Sequence, residues 1–385
     1  MATAFPAIGP NLNAISHKVT QGYIAEWLVY GAFGFSVPGQ LGGFMYIKSI
    51  TAILALSLPT SVWASPITDA YTSFYTFGDS LSDDGKFLAL DPPSLGGRFS
   101  KDLVWAERIE DQFIAAGRDT ANLAIGGATA GDQTTPATPL STFGGQIGAF
   151  QTALGFGAQS PGDKPLVSVS FGANDLFASF VPDDIEAAAD AVANGIRSIA
   201  AISSHAFDDF LVVNLPDLGA TPAYNFLIAA AGGSADDVAA ASEAATTATN
   251  TFNTRLAKNI IDLKDEGLNI IEWDSNELVS DIIANPISFG IADTSTPCTV
   301  SIGAPLDPTF SNPSPNCVDL NLDPNLLLFV DGVHPNGVAH SLAAERAANA
   351  IAANLAPVPV PASLPMLLSV VAVAGFAARR RAKTA

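Results

Sequence analysis

The chain has 385 residues, 48% of them hydrophobic and only 14% charged, which is enough apolar material for one sizeable core and argues against disorder in the bulk. Its 37 acidic and 17 basic residues give a formal net charge of -20, and between residues 65 and 356 the imbalance sharpens to 36 acids against 11 bases. A field of that sign repels polyanions, so no nucleic-acid partner is expected.

Residues 1–44 mix Gly, aromatic and polar residues without an amphipathic period and form a doubtful prefix. Met45 to Ala64 (MYIKSITAILALSLPTSVWA) then sets Lys48 before an apolar run, with Val62 and Ala64 at small-residue spacing ahead of Ser65. That is a signal-peptide pattern, and it leaves Met45 as a candidate start. Pro59 interrupts the run, which falls short of the roughly 20 apolar residues a membrane span needs, so cleavage is expected rather than anchoring.

Residues 65–356 read as one domain. Five short apolar runs, Tyr71–Phe77, Ala121–Ile125, Pro165–Phe171, Phe210–Leu215 and Leu268–Trp273, are bounded by Gly, Pro, Asn or Asp and are expected to be buried parallel strands. Ala-rich segments with helical spacing lie between them, notably Asp183–Ile202 and Ser234–Glu266, and Asn336–Leu355 is expected to be a last helix with Pro335 at its start. The alternation implies an α/β sandwich. The triplet Phe226-Leu227-Ile228 could line a pocket, although such a triplet is more often core.

Asn285–Asp323 is the one long irregular stretch and holds both cysteines, Cys298 and Cys317. In an exported protein a disulfide between them is expected, worth about 3 kcal/mol; in a reducing cytosol they would stay unpaired. Neither has a second Cys or His nearby to complete a tetrahedral zinc set, so no metal site is expected. Residues 357–385 form a tail: Val358-Pro359-Val360-Pro361, an apolar run from Met366 to Ala378, then Arg379-Arg380-Arg381, without an acid. The arginines would hold this end on the cytoplasmic side of a membrane.

Three stretches can carry chemistry. Phe77-Gly78-Asp79-Ser80-Leu81-Ser82-Asp83 sets Ser80 at the carboxyl edge of the first strand, where open α/β sheets bind ligands; by itself the motif could equally be a helix-capping turn. Phe329-Val330-Asp331-Gly332-Val333-His334-Pro335 sets a carboxylate three residues before an imidazole, just ahead of the last helix. A serine hydroxyl is a poor nucleophile until an imidazole takes its proton, and a carboxylate fixes the tautomer of that imidazole. Of the four histidines, His334 alone has a carboxylate at this spacing. Finally, two Gly-containing turns, around Gly127 and around Gly172-Ala173-Asn174-Asp175, follow strands at the same edge and could supply oxyanion donors or be plain turns.

Ser80, Gly127, Asn174 and His334, in that order, resemble the four blocks of the SGNH hydrolases, with Gly78-Asp79-Ser80-Leu81 as the GDSL block. The resemblance implies a three-layer α/β/α sandwich on a mainly parallel five-stranded sheet, the flavodoxin-like SGNH fold. It implies Ser80 as nucleophile, His334 as base and then acid, Asp331 as the third triad member, and an oxyanion hole from the Ser80 and Gly127 N–H groups and the Asn174 amide. No cofactor is needed for that chemistry.

Asn214-Leu215-Pro216-Asp217-Leu218-Gly219 is similar to the bacterial lipase and phospholipase branch, which implies ester or lipid substrates. The tail resembles the PEP-CTERM sorting signal, with Ala362-Ser363 where the motif usually carries an acid; this implies an exosortase-type partner, transient membrane association and a location at the cell surface or outside the cell. Two other functions stay open at this point: an O-acetylesterase acting on exopolysaccharide, and a catalytically silent surface or matrix protein.

Overall fold

A computed structural model describes residues 67–86, 97–132, 138–297 and 326–355. The signal-peptide pattern, Cys298 and Cys317 with the disulfide expected between them, and the C-terminal tail lie outside the described residues.

Five strands, β1 (Ser73–Gly78), β2 (Asp119–Asn122), β3 (Pro165–Ser170), β4 (Asp209–Val213) and β5 (Asn269–Trp273), form one sheet in the order β2-β1-β3-β4-β5, and every pairing is parallel. This is the flavodoxin-like order, whose reversal point lies between β1 and β3. The helices in chain order are α1 (Ile67–Ala70), α2 (Trp105–Ala115), α3 (Phe143–Gly155), α4 (Ala173–Ala178), α5 (Pro182–Ala200), α6 (Ala223–Ala230), α7 (Ala235–Asp265), α8 (Ser275–Ala284) and α9 (Gly337–Leu355).

Strand residues alternate between two cores because successive side chains point to opposite faces. Tyr75, Phe77, Val167, Val169, Phe210 and Val212 pack with α3, α5 and α7 on one face. Phe74, Leu166, Leu211, Val213, Ile271 and Trp273 pack with α1, α2, α8 and α9 on the other. Both faces are covered, so β1, β3 and β4 are buried at every position, their polar members Ser73, Thr76, Ser168, Ser170 and Asp209 included, and they read as mainly apolar runs. The large fully buried aromatics, among them Tyr71, Phe74, Phe77 and Phe150, each contribute about 1.5–3 kcal/mol of transfer free energy.

The long helices begin and end as their sequences direct. Pro182 opens α5, with Asp183 and Asp184 in its first turn and Arg197 in its last, each matched to the helix dipole. Ser234 and Asp237 cap α7 reciprocally, the Ser234 side chain accepting from the Asp237 N–H and the Asp237 carboxylate from the Ser234 N–H.

Two sequence expectations shift. The second strand lies at Asp119–Asn122 rather than Ala121–Ile125; beyond it the chain still donates to β1, from Leu123 N to Thr76 O (2.8 Å) and from Ile125 N to Gly78 O (3.2 Å), but bends away because the Asn122 side chain takes the Ala124 N–H. Leu227 belongs to α6, is 42% exposed and lines a cavity, so the core reading of that triplet is wrong for it: α6 packs on α7 and leaves Leu227 at the cavity.

Candidate active site

Ser80 sits two residues past the end of β1, at the carboxyl edge of the sheet and beside the reversal of strand order. His334 reaches it from the loop before α9, with Nε2 2.7 Å from the Ser80 Oγ, while Nδ1 lies 2.7 Å from the Asp331 Oδ2. Asp331 is wholly buried and its other oxygen accepts from the N–H groups of Val333 and His334, both at 2.8 Å. The three-residue spacing read in the sequence is thus an Asx turn, closed by a Val330 N–H donated to the His334 carbonyl (2.9 Å). A carboxylate only accepts, so Nδ1 carries the imidazole proton and Nε2 is left to accept from the serine hydroxyl. Phe99 lies against the His334 ring, centroids 4.7 Å apart.

Behind Ser80 the backbone is held from several directions. Gln146 of α3, fully buried, accepts from the Gly78 N–H and donates to the Gly78 carbonyl (3.1 and 2.8 Å). The Ser82 hydroxyl accepts from the Trp105 indole, and its carbonyl from the Asn122 amide. Burial pushes the Asp79 carboxyl up to about 7, against the opposing pull of the Leu81 N–H it accepts and of His334.

Gly127 and Asn174 line the same cavity as Ser80 and His334. Gly127 takes a left-handed φ of 78°, which a side chain would strain. Its turn is clamped on both flanks: Asp83 accepts from Gly126 N (2.8 Å), Asp175 accepts from Ala130 N and Gly131 N (2.8 and 3.0 Å), and the Asn174 amide donates to the Ala128 carbonyl (2.9 Å). Burial raises both carboxyls above the ordinary range, and the N–H groups they accept pull the other way. Gly172, φ 123°, caps α4 where any Cβ would meet the Phe252 ring at 2.4 Å, so only glycine lets the chain turn here and present Asn174 to the cavity.

The expected residues therefore converge on one site. Sequence reasoning missed the supports Gln146 and Trp105, and gave Asn122, at the head of the Gly127 turn, no task. It quoted Asp83 and Asp175 within their motifs without giving them a task. His340 is a core histidine on α9, held neutral by burial, its Nδ1 accepting from the Trp105 N–H. Among the described residues no group of three or more His, Cys, Asp or Glu is placed to hold a metal ion.

In front of Ser80 opens a cavity of about 520 Å³. Its walls are mainly apolar, Leu81, Phe177, Leu218, Leu227, Val279 and Phe329 among them; beyond Ser80, Asn174 and His334 the polar side chains are those of Thr129, Asp217 and Thr221.

A model of the GDSL-like lipase/acylhydrolase family matches residues 74–347, the span that contains every residue of this site. The chain belongs to that family. The GDSL assignment makes it a carboxylic ester hydrolase. Relatives include the phosphatidylcholine-sterol acyltransferase of Aeromonas hydrophila, 26% identical over 62% of this chain and 68% of that protein. Esterase EstA of Pseudomonas aeruginosa is 24% identical over 77% of this chain, which spans about half (49%) of the esterase's length. A GDSL esterase/lipase of Arabidopsis thaliana is 26% identical over 78% of this chain and 91% of its own length.

Proposed function

We propose that this GDSL enzyme hydrolyses esters of medium or long acyl chains, of the kind found in lipids, through an acyl-enzyme on Ser80. The observation that carries the reading is the hydrogen-bonded line from Ser80 through His334 to Asp331, opening on an apolar cavity.

In this scheme the Ser80 hydroxyl proton passes to His334 Nε2 as Oγ bonds the ester carbonyl carbon, and Asp331 stabilises the resulting imidazolium. The carbonyl oxygen becomes an oxyanion, met by the Ser80 and Gly127 N–H groups and the Asn174 amide. Collapse breaks the bond to the alcohol, which leaves with the proton from Nε2. Water then gives its proton to Nε2 as its oxygen attacks the acyl carbon, and collapse of that intermediate releases the acid and returns the proton to Ser80.

Acyl length is argued from the cavity. An acetyl group would leave most of about 520 Å³ of apolar space unused, whereas each buried methylene contributes about 0.8 kcal/mol, or roughly fourfold in kcat/KM. The relative that is a phosphatidylcholine-sterol acyltransferase points the same way. The experiment is hydrolysis of p-nitrophenyl acetate, butyrate and octanoate by the full chain beside a Ser80→Ala variant. A kcat/KM that climbs with chain length and vanishes in the variant supports the reading. A preference for acetate favours the O-acetylesterase, and inactivity equal to that of the variant favours a silent surface protein.

Export belongs to the same proposal: residues 45–64 as a removed signal peptide, 65–356 as the hydrolase domain, Cys298 and Cys317 bridged, and 357–385 as a PEP-CTERM-like tail read by an exosortase-type enzyme. Protein recovered from its host outside the cytoplasm should begin at Ser65; an intact N-terminus in the cytoplasm would overturn this.

A further inference from the structure

Among the described residues eight large apolar side chains stand exposed. Ile114, Phe156, Ile261 and Ile287 are scattered singly, as on most surfaces. The other four gather at the cavity: Phe177 and Leu227 line it, and Phe180 and Val181, 43% and 54% exposed, follow Phe177 on the turn joining α4 to α5. Phe180 and Val181 are separated from the cavity-lining Phe177 and Ala178 only by Ser179, and exposed apolar side chains beside an apolar cavity mark a surface covered during function.

The charge around this rim narrows what covers it. The segments that carry it, residues 173–200 and 214–265, contain 11 acids and four bases, and among those bases Arg197 is paired with Glu266 and Arg255 with Glu186 and Asp190. Asp183 and Asp184 start α5 beside Val181, and Asp236 and Asp237 start α7 just after α6, all four exposed. Binding to an anionic lipid surface relies on clustered bases, which acids outnumber here. A zwitterionic phospholipid presents its ammonium outermost and suits flanking carboxylates, while its acyl region takes the aromatic rim.

We propose that Phe177, Phe180, Val181 and Leu227 seat this enzyme on a zwitterionic phospholipid surface, so that the cavity opens into the lipid from which an acyl chain enters. This rests on the lipid-ester reading above, but its test separates the two. In a Ser80→Ala background, which leaves vesicles intact, Phe180→Trp reports the rim itself: phosphatidylcholine vesicles should shift its emission to the blue, relative to the Phe180 parent, and phosphatidylglycerol vesicles should shift it much less. No shift with phosphatidylcholine, or an equal or larger one with phosphatidylglycerol, overturns the proposal whether or not the enzyme hydrolyses any ester.

With Ser80 intact, the double variant Phe180→Ser/Val181→Ser should turn over phosphatidylcholine vesicles about tenfold more slowly, from the apolar area lost, while hydrolysing dissolved p-nitrophenyl butyrate at the parent rate. A parallel fall on both substrates would assign these side chains to the cavity or the fold. A dimer that the double variant abolishes, without any lipid-induced shift, would assign the rim to a second copy of the chain.

Discussion

The two sides of Ser80 are built from opposite materials. Behind it lies a polar web in which Gln146, Asp83, Asp175, Asn122 and Asp331 each satisfy particular backbone groups at 2.8–3.1 Å; in front lies an apolar space with few polar groups. Directional bonds fix where charge develops in a reaction, whereas apolar walls select by area and shape. Damage to the web should therefore appear in kcat, and damage to the walls in the dependence on chain length.

The largest effect expected behind Ser80 is that of Asp331→Asn, which keeps the shape but offers His334 the wrong tautomer: kcat for p-nitrophenyl butyrate should fall about 10⁴-fold. Asn174→Ala removes the amide proposed as an oxyanion donor and should cost about 10²–10³-fold in kcat with KM little changed. Asp175→Asn keeps one acceptor for Ala130 and Gly131 but sets an NH2 against the other N–H; steady-state kinetics should show kcat down by as much as about 10²-fold through displacement of the Gly127 turn. An increase in KM alone in this variant would break the comparison, because the loop would then be shaping the cavity.

In front of Ser80, Phe177→Ala should lower kcat/KM for the octanoate ester about tenfold and leave that for acetate nearly unchanged, flattening the chain-length series.

A last effect concerns stability rather than turnover, away from the reacting atoms. Burial pushes Glu110 on α2 up to about 7 from an ordinary value of 4.5, so the fold favours its neutral form. Its contribution is complete below about pH 4.5 and is lost as pH rises through 7. Glu110→Gln, which stays neutral beside the Thr76 hydroxyl, should melt progressively higher relative to the parent between pH 5 and 8, by at most about 3 kcal/mol of stability. A difference in Tm that stays flat across that range would contradict it.

The sheet was legible in the sequence because both of its faces are buried, so Pro165–Ser170 and Asp209–Val213 read as mainly apolar runs despite Ser168, Ser170 and Asp209. Helix α7 was legible from Ser234 and its Ala-rich spacing. Helix α3 was not: Phe143–Gly155 holds four glycines, a poor local signal, and forms because Phe143, Ile147 and Phe150 are buried against the sheet and Gln146 is fixed on Gly78. Ser80, Asp331 and His334 stood out because a serine nucleophile needs these residue types, and Asp331 and His334 are near neighbours in the chain. The links from Asp83 to Gly126 and from Asp175 to Ala130 span more than forty residues, and nothing local announces them. The cavity is likewise a product of assembly, since α4, α6 and the loop before α9 each give only a few apolar residues to it.

The central claim is that Ser80 carries the acyl group, and the most direct test is to trap it. The full chain, quenched in acid during turnover of p-nitrophenyl octanoate and analysed by peptide mass, should carry the octanoyl mass on Ser80, with no adduct in Ser80→Ala. An acyl group on another residue, or turnover undiminished in Ser80→Ala, would contradict the account.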